Sequence, residues 1–248
     1  MLANLIPALQ NLVVSESPID ADTRYFFDPI ITNSGSPGAG TVLVDQASFV
    51  GDADPVNYHA NTWVNPNCIT WEAASSGGYR VPTLEGVDVT FGDGAFTAAL
   101  WFKSTSRAGI SDIFGKNSIA DNDPGWAFQR YNGTTCRLRL EAANGVAVGV
   151  DLSNVFDGTD SVKFIWFSCD GAGNYVFREE STDTETTHTI ATAANRILKD
   201  GGELTFGSMN ASPPIVSRIG AAQIWNKLQT KPFMAAHYAK WNPTYGAF

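Results

Sequence analysis

Two carboxylates on one face of a strand can divide acid and nucleophile roles between them, and Asp183 and Glu185 have the i, i+2 spacing that would place them so. They lie in the run Ser181–Thr189, rich in Thr, with no aromatic ring beside them to shape a sugar site. A solvated edge or loop is the ordinary setting for such residues. The histidines His59, His188 and His237 stand apart from any nucleophile motif, no G-x-S-x-G occurs, and no two of them have ligand spacing. His237 reads as a packing residue beside Tyr238. No catalytic residue is assigned, and an enzyme is not expected.

Binding chemistry has more candidates. Asp121, Asn122 and Asp123 form a cluster of hard oxygen ligands on an expected loop before Pro124-Gly125-Trp126. Calcium takes six to eight oxygens, so backbone carbonyls and water would have to complete a site. An Asx-stabilised turn uses the same residues without any ion. No other cofactor is expected. Trp126 and Tyr131 could offer rings for sugar stacking, although Trp and Tyr on strands usually belong to the core or its rim. Asn132-Gly133-Thr134 and Asn210-Ala211-Ser212 match the glycosylation sequon and read equally well as turns. Cys68, Cys136 and Cys169 are odd in number, far apart and lack C-x-x-C spacing, which favours buried free thiols over disulfides or zinc.

The elements that must position these groups are strands. Phe96–Lys103 places Phe96, Ala98, Leu100 and Phe102 on one face, and a short strand follows at Ile110–Gly115. Trp126–Tyr131 and Thr134–Ala142 flank Asn132-Gly133, a strong hairpin signal. Cys136, Leu138 and Leu140 alternate with Arg137, Arg139 and Glu141, so that strand is half buried. Asn144-Gly145 turns the chain again into Val146, Val148 and Val150. Val162–Ser168 is apolar on both faces, as a covered central strand requires, and Gly171–Asn174 turns it into Tyr175–Arg178. Leu204–Gly207 and Arg218–Trp225 add two more strands. Thr230 can cap a short helix with Phe233, Met234, His237 and Tyr238 inward. Short strands joined by Gly/Asn turns predict an all-β, two-sheet antiparallel sandwich or jelly roll.

In order along the chain, GAFTAALWFKS, SDIFGKN, PGWAFQRYNGTTCRLRLE, SVKFIWFSCDGAGNYVFRE and the stretch from Glu203 to Tyr238 resemble the concanavalin A/laminin G-like domain. The resemblance covers roughly residues 66–240 and implies two curved antiparallel sheets that bind carbohydrate or protein through loops at one rim, sometimes with calcium. The glucanase arrangement E-x-D-x-x-E found among relatives of this fold is missing. The return strand after Asn174 runs into Glu179-Glu180-Ser181-Thr182-Asp183 instead of the usual Val-Asp-Gly, which puts a standard ligand loop there in doubt.

The 248 residues suffice for one large sandwich preceded by an extension, divided here as an arm over 1–65 and a lectin-like domain over 66–248. Charged residues are only 17% against 12% aromatic, a balance that leans towards sheet. The formal net charge of -9 repels phosphate backbones and anionic lipids, so neither nucleic acid nor a membrane is an expected partner. Within the arm, Leu2, Leu5, Ile6, Leu9, Leu12 and Val13 form an apolar stripe at helical spacing. No Lys or Arg flanks it as a signal peptide would require. An acidic chain with an irregular arm before a lectin-like sandwich looks like a tailed-phage virion protein, such as a head decoration or a fibre or spike component. The arm would then contact neighbouring subunits or other virion proteins. A carbohydrate-binding module or host-receptor adhesin, with glycan as partner, is the alternative.

Overall fold

A computed structural model describes residues 18–28, 54–56, 68–71, 78–81, 94–104, 110–116, 125–142, 144–156, 161–196, 204–206, 217–246 and 248. These residues form two antiparallel sheets, so the chain is an all-β sandwich. The first sheet runs β1 (Thr23–Phe27), β14 (Ser217–Trp225), β5 (Phe96–Ser104), β10 (Lys163–Cys169), β11 (Asn174–Glu179) and β12 (Thr184–Thr189), with β3 (Ile69–Trp71) also paired to β14. The second runs β2 (Asp54–Val56), β4 (Gly78–Val81), β13 (Leu204–Phe206), β6 (Ser111–Lys116), β7 (Gly125–Arg130), β8 (Cys136–Glu141) and β9 (Ala147–Leu152).

Alternation along the strands decides which side chains fill the space between the sheets. From β5 these are Phe96, Ala98, Leu100 and Phe102. From β10 they are Ile165, Phe167 and Cys169, and they meet Trp126, Phe128, Leu138 and Leu140 of the second sheet. Edge-to-face contacts such as Phe128–Phe167 at 5.4 Å and Trp126–Phe167 at 4.9 Å between ring centroids interlock the two layers. β10 is buried at all seven positions because its other face is covered too. That cover is helix α1 (Lys231–Tyr245), whose Thr230 N-cap oxygen accepts the Phe233 N–H at 3.4 Å. Beneath it lie Ala99, Trp101, Phe164, Trp166 and Trp225, packed against Met234 and Tyr245. The helix is longer than the short one expected, at 15 residues, and Phe233 sits at its margin, still 36% exposed.

The expected boundary near residue 65 needs correction. β1 is a full member of the first sheet. Tyr25 and Phe27 enter the inter-sheet core, and Phe26 turns to the helix side. Gln223 anchors this segment by donating its Nε2–H to the Pro18 carbonyl at 2.9 Å and to Thr23 Oγ1 at 3.0 Å. β2 belongs to the second sheet through its pairing with β4. The strand pairing therefore begins well inside the segment read as an arm. The stripe Leu2, Leu5, Ile6, Leu9, Leu12 and Val13 lies outside the described residues.

Candidate binding site

Three turns meet at one end of the sandwich. Register fixes their place: the β8–β9 turn follows Glu141, paired with Gly125 and Ala147, and the β10–β11 turn follows Cys169, paired with Phe96. The third segment, residues 190–196, leaves β12 at the same end, because Ile190 N–H donates to the Gly173 carbonyl at 2.8 Å. A hydrogen bond from Asn144 Nδ2 to Asn195 Oδ1 at 2.8 Å joins the rims of the two sheets.

Each turn is built by its own polar side chains. Asp170 Oδ1 accepts the N–H groups of Ala172 at 2.7 Å and Asn174 at 2.9 Å, and its Oδ2 accepts Asn174 Nδ2 at 2.6 Å. Partial burial pushes the Asp170 carboxyl up. The hydrogen bonds from Asn174 and Ala172 more than offset this and hold it below the ordinary carboxylate range. Asn174 Oδ1 accepts the Thr189 hydroxyl at 3.0 Å, and Asn144 Oδ1 accepts the Val146 N–H at 3.1 Å. Gly173, at φ 95°, could not carry a side chain: a Cβ would lie 2.5 Å from the Ile190 carbonyl oxygen. The rim thus presents Asn144, Asp170, Asn174, Thr189 and Asn195 on a stiff frame, with Asn144, Asn174 and Thr189 exposed. Each amide makes one or two side-chain contacts within the rim and keeps further donor or acceptor capacity. Fixed amides, a carboxylate and a hydroxyl can pair with the vicinal hydroxyls of a sugar.

The residues singled out from sequence fall elsewhere. Trp126 is corrected from a stacking candidate to a core residue: it is 2% exposed and wedged among Phe96, Phe114, Phe128 and Phe167. Tyr131 is half-buried, and one ring face is occupied by the Arg137 guanidinium, 3.2 Å from the ring centroid. Arg137 is clamped there by Asp151 at 2.6 and 2.9 Å, and it lies across Gly149, where a Cβ would come within 2.7 Å of its Nε. Asp121, Asn122 and Asp123 lie outside the described residues, as do His59 and Asn210. Among the described residues no three His, Cys, Asp or Glu side chains gather as a metal site. Cys68, Cys136 and Cys169 are buried and form no disulfide among the described residues, and burial raises the Cys136 and Cys169 thiols above their ordinary value.

Asp183 and Glu185 do not share a strand face. Asp183 closes the β11–β12 turn at φ 55°, and Glu185 sits on β12. Arg178 lies between them, paired with Asp183, with Glu180 at 2.8 Å and with Glu185 at 3.3 Å. Glu185 also accepts Lys231 Nζ at 2.6 Å, and Glu180 accepts Trp166 Nε1 at 2.8 Å. A glycosidase needs two carboxylates facing a sugar across open space, and here a guanidinium fills the gap.

No known family matches the chain, and no curated protein does. Solved structures do. The receptor-binding domain of botulinum neurotoxin C/D mosaic serotype is similar over 90% of this chain and 52% of its own, at 14% identity and a TM-score of 0.66. The binding domain of botulinum neurotoxin DC in complex with rat synaptotagmin II gives a TM-score of 0.68 at 13% identity, and the same domain in complex with SialylT gives 0.65 at 13%. Both align over 90% of this chain and 52% of theirs. The chain spans about half the length of these structures, and at such identity the likeness is one of fold.

Proposed function

We propose that this chain is a non-enzymatic binding module that recognises glycan through the rim formed by the turns 142–146 and 170–174 and the segment 190–196, acting as a carbohydrate-binding or receptor-binding adhesin. The observation that carries this reading is the Asn144–Asn195 bond, which locks the ends of the two sheets together and fixes a cluster of amide, carboxylate and hydroxyl groups at one edge. A few precisely placed polar groups fix a ligand's orientation and supply its specificity. The fold supports the reading, because the domains that share it are binding domains, one of them solved with SialylT. Those domains are twice as long as the match, so their ligands enter only as probes. Titrating isotope-labelled protein with a sialylated oligosaccharide should shift amide signals in the three rim segments and leave 131–137 unmoved. Shifts centred on Tyr131 and Arg137, or none with any oligosaccharide probe, would refute it.

A virion structural role is the second reading, with the sandwich decorating a head or forming part of a fibre or spike. The apolar stripe Leu2, Leu5, Ile6, Leu9, Leu12 and Val13 favours it, since burying six such side chains against neighbouring subunits gains about 1.5–3 kcal/mol each before ordering costs. The two roles are compatible on one particle.

A further inference from the structure

Among the described residues, the first sheet ends in a strand whose outer backbone groups face no other strand. β12 ends the strand order, and no described strand bonds to its outer side. Ile190 N–H donates to Gly173, and on the other flank of β11 Glu180 N–H donates to Phe164 and Asp170 N–H to the Asn174 carbonyl. With the register of β11 on β12, these bonds direct the backbone groups of Thr184, Thr186 and His188 inward to β11. The N–H and C=O groups of Glu185, Thr187 and Thr189 therefore point out from the free edge, and Thr187 and Thr189 are exposed.

Proteins blunt such edges with lysine, proline, bulges or charge. The other sheet edges carry such devices or are very short: β1 has a register shift between Thr23 and Tyr25, β2 contains Pro55, β9 contains Gly149, and β3 is only three residues long. β12 has none of them. Its register on β11 is unbroken over six pairs. Its one acidic residue, Glu185, is matched by Arg178 and Lys231, so the chain's net charge of -9 places no unmatched carboxylate on this edge.

We infer that β12 pairs antiparallel with β12 of a second copy of this chain, about a two-fold axis through Thr187. Such an axis stands perpendicular to the sheet, so residues of the same face must oppose each other. The register centred on Thr187 sets Thr187 against Thr187, Glu185 against Thr189 and Thr186 against His188. It uses every outward N–H and C=O of Glu185, Thr187 and Thr189, while the register centred on Thr186 leaves those of Thr189 without a strand partner. The two Glu185 carboxylates stand on opposite sides of the axis, about four residues apart along the strands. Threonines facing each other across strands suit the contact. The result is one sheet continuous through both copies, which carries two rims and raises avidity for a clustered ligand.

Sedimentation of the full chain should show a dimer. Thr187→Pro removes a donor that β11 does not use, and Thr187→Lys places charge on the axis. Both variants should be monomers that melt as the parent does, and Thr187→Lys decides the matter if the proline variant fails to fold. Thr187→Cys should form a disulfide-linked dimer on mild oxidation, because opposed Cα atoms in a hydrogen-bonded pair lie about 5.5 Å apart, within disulfide reach. Thr189→Cys should not, its two copies being displaced by about 13 Å along the strands. The chain's own cysteines are buried and supply no competing thiol. A monomeric parent, a dimer that survives Thr187→Lys, or cross-linking at 189 in place of 187 would overturn the pairing.

Discussion

Acidification should weaken the docking of α1 on the first sheet, and His237 sets the pH window. Its ring is packed against Trp101, Trp225 and Phe164 at centroid distances of 5.6, 5.3 and 6.0 Å, with Phe233 and Trp241 from its own helix. Its Nε2 is buried with no hydrogen-bond partner among the described residues, so an imidazolium there would have one N–H facing rings. Burial, aided by the Lys240 charge, lowers its pKa from 6.5 to about 4. Between those values the unfolded chain binds a proton that the folded chain does not. Stability is therefore complete above pH 6.5 and falls as the pH drops towards 4, by about 3 kcal/mol over the whole window. Urea unfolding of the parent and of His237→Phe, followed from pH 7 to 4.5, isolates this group from the carboxylates. The parent should lose stability steeply in that range, and the variant should follow a shallower line. Parallel pH profiles, or a His237 that titrates near 6.5 by NMR, would refute the reasoning.

Three other outcomes follow from the packing. Leu138→Ala removes a fully buried side chain of the inter-sheet core and should cost about 2–5 kcal/mol in chemical denaturation. Gly173→Ala should destabilise by more than about 1 kcal/mol, because the left-handed backbone and the Ile190 carbonyl both exclude a Cβ, and its thermal midpoint will report this. Deleting residues 1–14 should leave a folded sandwich, and on the virion reading it should abolish incorporation into particles. Normal incorporation of the truncated chain would remove that role from the arm.

Much of the fold was legible because burial leaves a direct mark on strand sequences. The run Val162–Ser168 is apolar at nearly every position, and β10 is covered by the second sheet on one side and by α1 on the other. The alternation at Cys136–Leu140 and the Thr230 cap are equally local signals. β1 was legible only as a short extended segment at Tyr25–Phe27, because its three aromatic residues sit in a polar stretch and, being buried on both faces, show no period. The Asn-Gly dipeptides did mark turns, but each in a three-residue loop: Tyr131 N–H donates to the Thr135 carbonyl, and Ala142 N–H to that of Val146. Asn132 achieves this by accepting the Thr134 and Thr135 N–H groups on its side chain at 3.0 and 2.9 Å. The rim was hardly legible at all. Gly171–Asn174 and Asn144-Gly145 could be read as turns, but nothing in the spacing brings Asn144 to Asn195, since that contact depends on how the two sheets stack. Trp126 misled for the opposite reason, because an aromatic on a strand has the same signature in a core as in a sugar site.

The most direct test of glycan recognition by the rim is a glycan array probed with the parent chain and with an Asn144→Ala/Asn195→Ala variant, each with and without calcium. The parent should bind a defined set of oligosaccharides, and the variant, folded but with its two sheet rims unlinked, should lose that binding. A parent that binds no glycan in either condition, or a variant that binds the same set equally well, would contradict it.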